Sequence, residues 1–199
     1  VWQDYSTDGD GLGVSARALN SSLSPVAAQT FRVNETTVGD QSAAEVLVLP
    51  GGGVMFGWQG GLNAEEDVFV RVVGSNGLFA TPEIRVNTHT PGAQIAPRLA
   101  LLQDGNVVVI WTSMDQDGSR EGVFGQRLSA SGALLGDEFA VNTFTQFNQR
   151  SPAVAGLKDG DFVVVWVSEN QRFENSVDLV ARRFNADGTA ETGEILVTP

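Results

Sequence analysis

Apolar residues in this chain come in short dense runs and not at helical spacing. The densest read Val-Met-Phe-Gly-Trp at 54–58, Val-Val-Val-Ile-Trp at 107–111 and Phe-Val-Val-Val-Trp at 162–166. A run of that length, bounded by polar turn residues, predicts a strand buried on both faces. In the last third of the chain a first strand is expected over 152–157. Asp159-Gly160 then reads as a two-residue hairpin turn, and a second strand follows over 162–167. The preceding stretch supplies the rest of the pattern: a third strand over 122–128, a Ser131-Gly132 turn and a fourth strand over 138–142. No stretch carries a 3.6-residue apolar period, so helix content should be close to nil.

The runs belong to an internal repeat. Trp2, Trp58, Trp111 and Trp166 are spaced by 56, 53 and 55 residues. From Val33 to Trp58, Val86 to Trp111 and Val141 to Trp166 the distance is 25 each time, and Gln41, Gln94 and Gln149 share one position. Pro97 and Pro152 share another, filled by Ala44 in the earlier copy. Arg17, Arg71, Gln126 and Arg182 are equivalent at the third strand. Four strands in a unit of about 50 residues is the size of a β-propeller blade. The fold expected is all-β, with four-stranded antiparallel units as propeller blades. A four-bladed ring, a segment of a larger propeller and a β-solenoid-like stack all fit the periodicity. The units form one repeat domain, at about 1–40 (partial), 41–93, 94–148 and 149–199. The stretch after Val141 reads as the connector between blades, with Asn87, Asn142, Gln94 and Gln149 satisfying its buried backbone groups. The N-terminal unit shows only the end of a second strand, which predicts a piece of something longer, an open ring, or completion by another chain.

Composition narrows the function. Asp plus Glu number 24 against 12 Lys plus Arg, a net charge of −12, with one lysine and no cysteine. Such a chain has no basic face for nucleic acid, no thiol chemistry and no apolar run long enough to span a membrane as a helix. Its carboxylates suit hard cations.

The pattern resembles a tandem repeat of very large, acidic, cysteine-free bacterial exoproteins and adhesins, the haemolysin-type calcium-binding class exported by type I secretion. The match is strongest over 149–166, 116–128 and 138–143. The resemblance implies an extracellular or cell-surface setting. The glycine-rich calcium nonapeptides of that class are absent from this sequence, so their calcium site does not carry over.

Four acidic loops follow the four tryptophans. Asp4, Asp8 and Asp10 in the first, and Asp115, Asp117 and Glu121 in the third, alternate with small residues as calcium ligands do. Glu65, Glu66 and Asp67 lie in the second loop, and Glu169, Glu174 and Asp178 in the fourth. Calcium is therefore the one cofactor expected, against the plainer reading of Asp and Gly as turn residues. The tryptophans read as inter-blade core, with sugar stacking as the rival role. The equivalent arginines are expected to stack on those indoles or pair with carboxylates. His89 stands alone, without a zinc or triad signature.

These readings favour a non-enzymatic binding or structural module that displays variable loops on a rigid scaffold. Its partners would be glycans or another chain completing the sheet. The alternatives are a polysaccharide hydrolase or lyase, and a subunit of an extracellular filament or sheath. The enzyme alternative puts its site at the propeller axis and makes a specific demand: one or two blades must carry residues that break the repeat there.

Overall fold

The computed structural model describes residues 1–26 and 30–199. Every regular element in them is a strand. Blade 1 holds β1 (Trp2–Asp4), β2 (Gly13–Ala16) and β3 (Phe31–Arg32). Blade 2 holds β4 (Asp40–Val48), β5 (Val54–Gly61), β6 (Asp67–Val73) and β7 (Ile84–Arg85). Blade 3 holds β8 (Gln94–Leu101), β9 (Val107–Met114), β10 (Glu121–Leu128) and β11 (Leu134–Ala140). Blade 4 holds β12 (Gln149–Gly156), β13 (Phe162–Glu169), β14 (Val177–Phe184) and β15 (Ile195–Leu196). Each sheet is antiparallel and follows chain order. The result is an array of β-propeller blades. Among the described residues no ladder joins one blade to the next, which a solenoid stack would require.

The hairpin after the first strand differs from the expected two-residue turn. Leu157 N–H donates to Asp161 O at 2.7 Å and Gly160 N–H to Leu157 O at 3.2 Å, leaving a three-residue loop. Gly160 has φ 103°, the left-handed position that closes such a loop. The first strand also starts earlier than Pro152 would suggest. A β-bulge interrupts its register between Arg150 and Ala153, and Ser151 there has φ 54°. The same bulge recurs at Ala43 and Ala96. It takes the proline out of the regular ladder, so Pro97 and Pro152 sit inside strands.

Successive blades pack face to face, and the core lies in three seams. Val14, Ala16 and Val33 meet Phe56 and Trp58 in the first. Met55, Val68 and Val70 meet Val107, Val109 and Trp111 in the second. Val108, Ile110 and Val123 meet Phe162, Val164 and Trp166 in the third. β9 is buried along nearly its whole length because it has a blade on either side. β13 alternates buried and half-buried positions because, among the described residues, only one of its faces packs against another blade.

In blades 2 and 3 a clamp joins the glutamine and the tryptophan 17 residues on, while in blade 4 Trp166 Nε1 and Gln149 Oε1 keep the spacing without that bond. Trp58 Nε1 donates to Gln41 Oε1 at 3.3 Å, and Trp111 Nε1 to Gln94 Oε1 at 3.2 Å. The glutamine amides donate onward to connector carbonyls, Gln41 to Val38, Gln94 to Pro91 and Gln149 to Gln146. The connector asparagines also act on the backbone as expected. Asn87 and Asn142 donate to His89 O and Phe144 O, at 2.8 and 3.1 Å.

Arg71 and Arg182 lie over phenyl rings and not indoles, and Arg71 pairs with the Glu35 carboxylate at 2.5 Å as the other expectation had it. Arg71 Nη1 donates to Val33 O at 2.8 Å and Arg182 Nη1 to Val141 O at 2.9 Å, each reaching the connector of the preceding blade. Their guanidinium groups lie over Phe79 and Phe184, at 3.5 and 5.4 Å. The phenyl rings are nearer along the outer sheet, while the indoles are already enclosed in the seams.

Fourth-strand glutamates staple the same connectors. Glu83 accepts from Glu35 N–H at 2.8 Å, Glu138 from Thr88 N–H at 2.6 Å and Glu194 from Phe144 N–H at 3.2 Å. Burial alone would raise the Glu194 pKa, but hydrogen bonds from Thr143, Phe144 and Gln171 outweigh it and hold the carboxyl below its ordinary value. A depressed folded-state pKa stabilises above the unfolded value and is lost as pH falls through the folded one. Glu194→Gln should therefore lower Tm at neutral pH by roughly 2–4 °C. The gap from wild type should close on acidification, as pH-dependent thermal melts would show.

Candidate functional site

One edge of the array gathers the polar groups. The register puts the end of each second strand beside the start of the first, so the acidic loops and the connectors share that edge. Most of the aspartates predicted as cation ligands are held there by donors of their own blade. Asp8, Asp67 and Asp117 accept from Asn34, Asn87 and Asn142 Nδ2, at 2.9, 2.5 and 2.9 Å. Those asparagines in turn accept from the N–H groups of Val14, Val68 and Val123. In blade 4 Thr198 takes the asparagine's place, donating to Asp178 Oδ1 at 2.9 Å. This Asp–Asn pair ties the third strand to the connector and recurs with the scaffold.

The other predicted ligands are engaged too. Asp4 accepts from Trp2 Nε1 at 3.0 Å and Ser6 N–H at 2.9 Å. Hydrogen bonds from Thr7, Ser15 and Ser6 hold its carboxyl far below the usual carboxylate range. Asp10 accepts from Gly39 N–H at 3.3 Å. Asp115 forms a turn, with φ 58° and its N–H donating to Arg120 O. Among the described residues no three His, Cys, Asp or Glu side chains converge on a point that would hold a metal ion. This donor set does not fit the expected calcium loops, because most of the aspartates are turned toward protein donors.

Glu121, also predicted as a cation ligand, faces a cation of the protein's own. Arg150, on β12, places Nε 3.8 Å from Glu121 Oε2 and Nη2 2.8 Å from Glu169 Oε1. Arg150 Nε also donates to Glu169 Oε1 at 3.1 Å. Both oxygens contact that one nitrogen, so they lie no more than about 7 Å apart. Asn148 Nδ2 donates to Glu169 Oε2 at 2.7 Å. The two environments separate the acids. Burial pushes the Glu121 pKa up, opposed by Arg150 and helped by Glu169. Hydrogen bonds from Arg150 and Asn148 pull Glu169 down. Carboxylates pushed apart in this way divide into a proton donor and an ionised partner.

This pair breaks the repeat. Arg150 stands where the earlier units have Ser42 and Ile95, and Glu169 where they have Gly61 and Met114. Glu121 and Glu169 both fall in the acidic loops read from the sequence, whereas Arg150 carries no signal there beyond its departure from the repeat. The sequence does not show that they meet, because Glu121 comes from blade 3 and the other two from blade 4.

No family model matches the chain, and no curated protein does. Solved structures do. An endo-arabinase from Bacteroides thetaiotaomicron superposes with TM-score 0.56 at 13% identity, over 85% of this chain and 68% of that one. An α-L-arabinanase from Penicillium chrysogenum does so with TM-score 0.57 at 15% identity, over 99% of this chain and 58% of that one. A polysaccharide lyase described as an ulvan lyase gives TM-score 0.59 at 10% identity, over 94% and 48%. The chain thus spans about half to two thirds of the length of the structures it matches. At these identities the likeness is one of fold. It corrects the expectation of a non-enzymatic display module, since the named folds it shares are those of carbohydrate-cleaving enzymes. No helix of the described residues is long and apolar enough to cross a membrane.

Proposed function

We propose that this chain is part of a carbohydrate-active propeller that hydrolyses a polysaccharide outside the cell, with Glu121 and Glu169 as its acid and base. The observation that carries the reading is the Glu121–Arg150–Glu169 cluster, in which Arg150 and Glu169 depart from the repeat. Glu121 keeps its proton at higher pH than an ordinary glutamate and can give it to the glycosidic oxygen as the bond to C1 breaks. Glu169 stays ionised beside Arg150 and can take a proton from the attacking water or bond to C1 itself. Water then supplies the hydroxyl at C1 and restores both carboxyls. Arg150 holds Glu169 in place and in its charged form. The acidic, cysteine-free composition and the resemblance to secreted exoprotein repeats support the extracellular setting.

The test is turnover of linear arabinan, xylan and ulvan, read as new reducing ends, with unsaturated-uronate absorbance marking elimination instead. The pH profile of kcat/KM should be bell-shaped. Its acid limb follows protonation of Glu169 and should fall below the ordinary glutamate range. Its alkaline limb follows deprotonation of Glu121 and should lie above that range. Arg150→Ala should move the acid limb upward. Wild type inert on all three polymers, or an acid limb that ignores Arg150→Ala, would count against the assignment.

A further inference from the structure

The connector residue two places before each buried glutamine is Gly39, Gly92 or Phe147. All three adopt left-handed backbone, with φ 72°, 72° and 64°. Glycine accepts this conformation at no steric cost, whereas a bulky side chain is strained in it. Space is short as well. A Cβ at Gly92 would meet Met114 O and Cβ, both at 3.2 Å, and one at Gly39 would run into Gly61 O. The third connector nevertheless carries phenylalanine. Phe147 is 38% exposed, so burial only partly offsets the strain. Strain of this kind concentrates where a side chain is needed for function.

The place is informative. Asn148, the next residue, donates to Glu169 Oε2 at 2.7 Å, and its carbonyl accepts Glu169 N–H at 3.0 Å. Phe147 is therefore anchored one residue from the carboxylate pair, at the seam where the repeat is broken. Phe173, 58% exposed, lies on the loop that leaves Glu169. We infer that Phe147 is a sugar-contacting residue of this site, an aromatic face on which a pyranose or furanose ring of a neutral polysaccharide packs. The inference rests on the proposed carbohydrate activity. An aromatic face is electron-rich and attracts the polarised C–H bonds of a sugar ring, while the carboxylates act on its glycosidic oxygen and C1. The repeat's own solution, glycine, would leave that face absent.

The test uses the whole chain with Phe147→Gly and Phe147→Tyr, assayed on whichever of arabinan and xylan wild type cleaves. Phe147→Gly should raise KM about five- to tenfold with little change in kcat, because the ring orients substrate and takes no part in proton transfer. Its Tm should match or exceed wild type, since the substitution restores the residue that fits the backbone. Phe147→Tyr should keep wild-type KM. An unchanged KM in Phe147→Gly overturns the inference while leaving the carboxylate assignment intact. A fall in Tm that tracks the loss of KM overturns it in favour of a packing role. Cleavage of ulvan alone overturns the inference, and wild type inert on all three polymers fails the proposed function itself, and the inference with it.

Discussion

Glu169→Gln is expected to reduce kcat on the cleaved polymer by about 10²–10⁴-fold, and Glu121→Gln by a similar factor. Each substitution keeps side-chain size and some hydrogen bonding while removing the titrating oxygen. Glu169 holds the negative charge that Arg150 and Asn148 stabilise, so its amide cannot activate water or bond to C1. Glu121 holds the proton that burial retains, so its amide has no proton to give at the needed acidity. The two variants should differ on substrates with good leaving groups. An activated aryl glycoside needs little protonation, so Glu121→Gln should recover much of its rate there and Glu169→Gln should not. Glu174→Gln, on the same loop but exposed, is the control and should stay near wild type. Thermal melts should show little change, because both carboxylates lie at the polar edge and not in the apolar core. If both glutamine variants keep wild-type turnover, the cleavage chemistry lies elsewhere.

Trp111→Ala is expected to destabilise the fold by about 3–5 kcal/mol, the range for removing a buried indole. That is a drop in Tm of roughly 6–20 °C for a domain of this size. Trp111 is fully buried between blades 2 and 3 and hydrogen-bonded to Gln94. Its loss opens a cavity that two rigid sheets cannot close, and leaves Gln94 Oε1 without its donor. Trp111→Phe separates these effects. It should cost about 1–3 kcal/mol, the price of an unsatisfied buried acceptor plus a smaller void. Trp2→Ala, at the same repeat position, should cost under about 0.5 kcal/mol. Trp2 is 40% exposed and bonds to Asp4 in its own loop. Equal losses for Trp2 and Trp111 in chemical denaturation would show that the repeat position, and not the seam, sets the contribution.

How legible the fold was follows from what a repeat encodes. The tryptophan spacing, the glutamine 17 residues ahead of it and the dense apolar runs recur at fixed intervals. Each interval reflects a contact within one unit or with its immediate neighbour. Strand number, antiparallel order and the seam role of Trp58, Trp111 and Trp166 could therefore be read directly, while Trp2 at the same position is exposed. The hairpin loop length could not, because Asp-Gly closes either a two- or a three-residue loop, and flanking register chooses. The strand start before Pro152 was hidden for a similar reason. A bulge with left-handed Ser151 re-admits proline, and nothing local announces the bulge.

The acidic loops show the limit most clearly. Spacing alone made Asp4, Asp8 and Asp10 look like one ligand set and Asp115, Asp117 and Glu121 another. Asp8 and Asp117 are instead held by asparagines 26 and 25 residues away, and Glu121 by an arginine of the next blade. Local sequence carries the type of a charged group but not its partner, since partners across a seam have no fixed separation along the chain. What the sequence determined by itself was the repeating scaffold, because short-range contacts write a period into it. What only the tertiary structure decided was which off-pattern residues meet. Glu121, Arg150 and Glu169 become a site, with Phe147 beside it, only when packing of two blades brings one edge together.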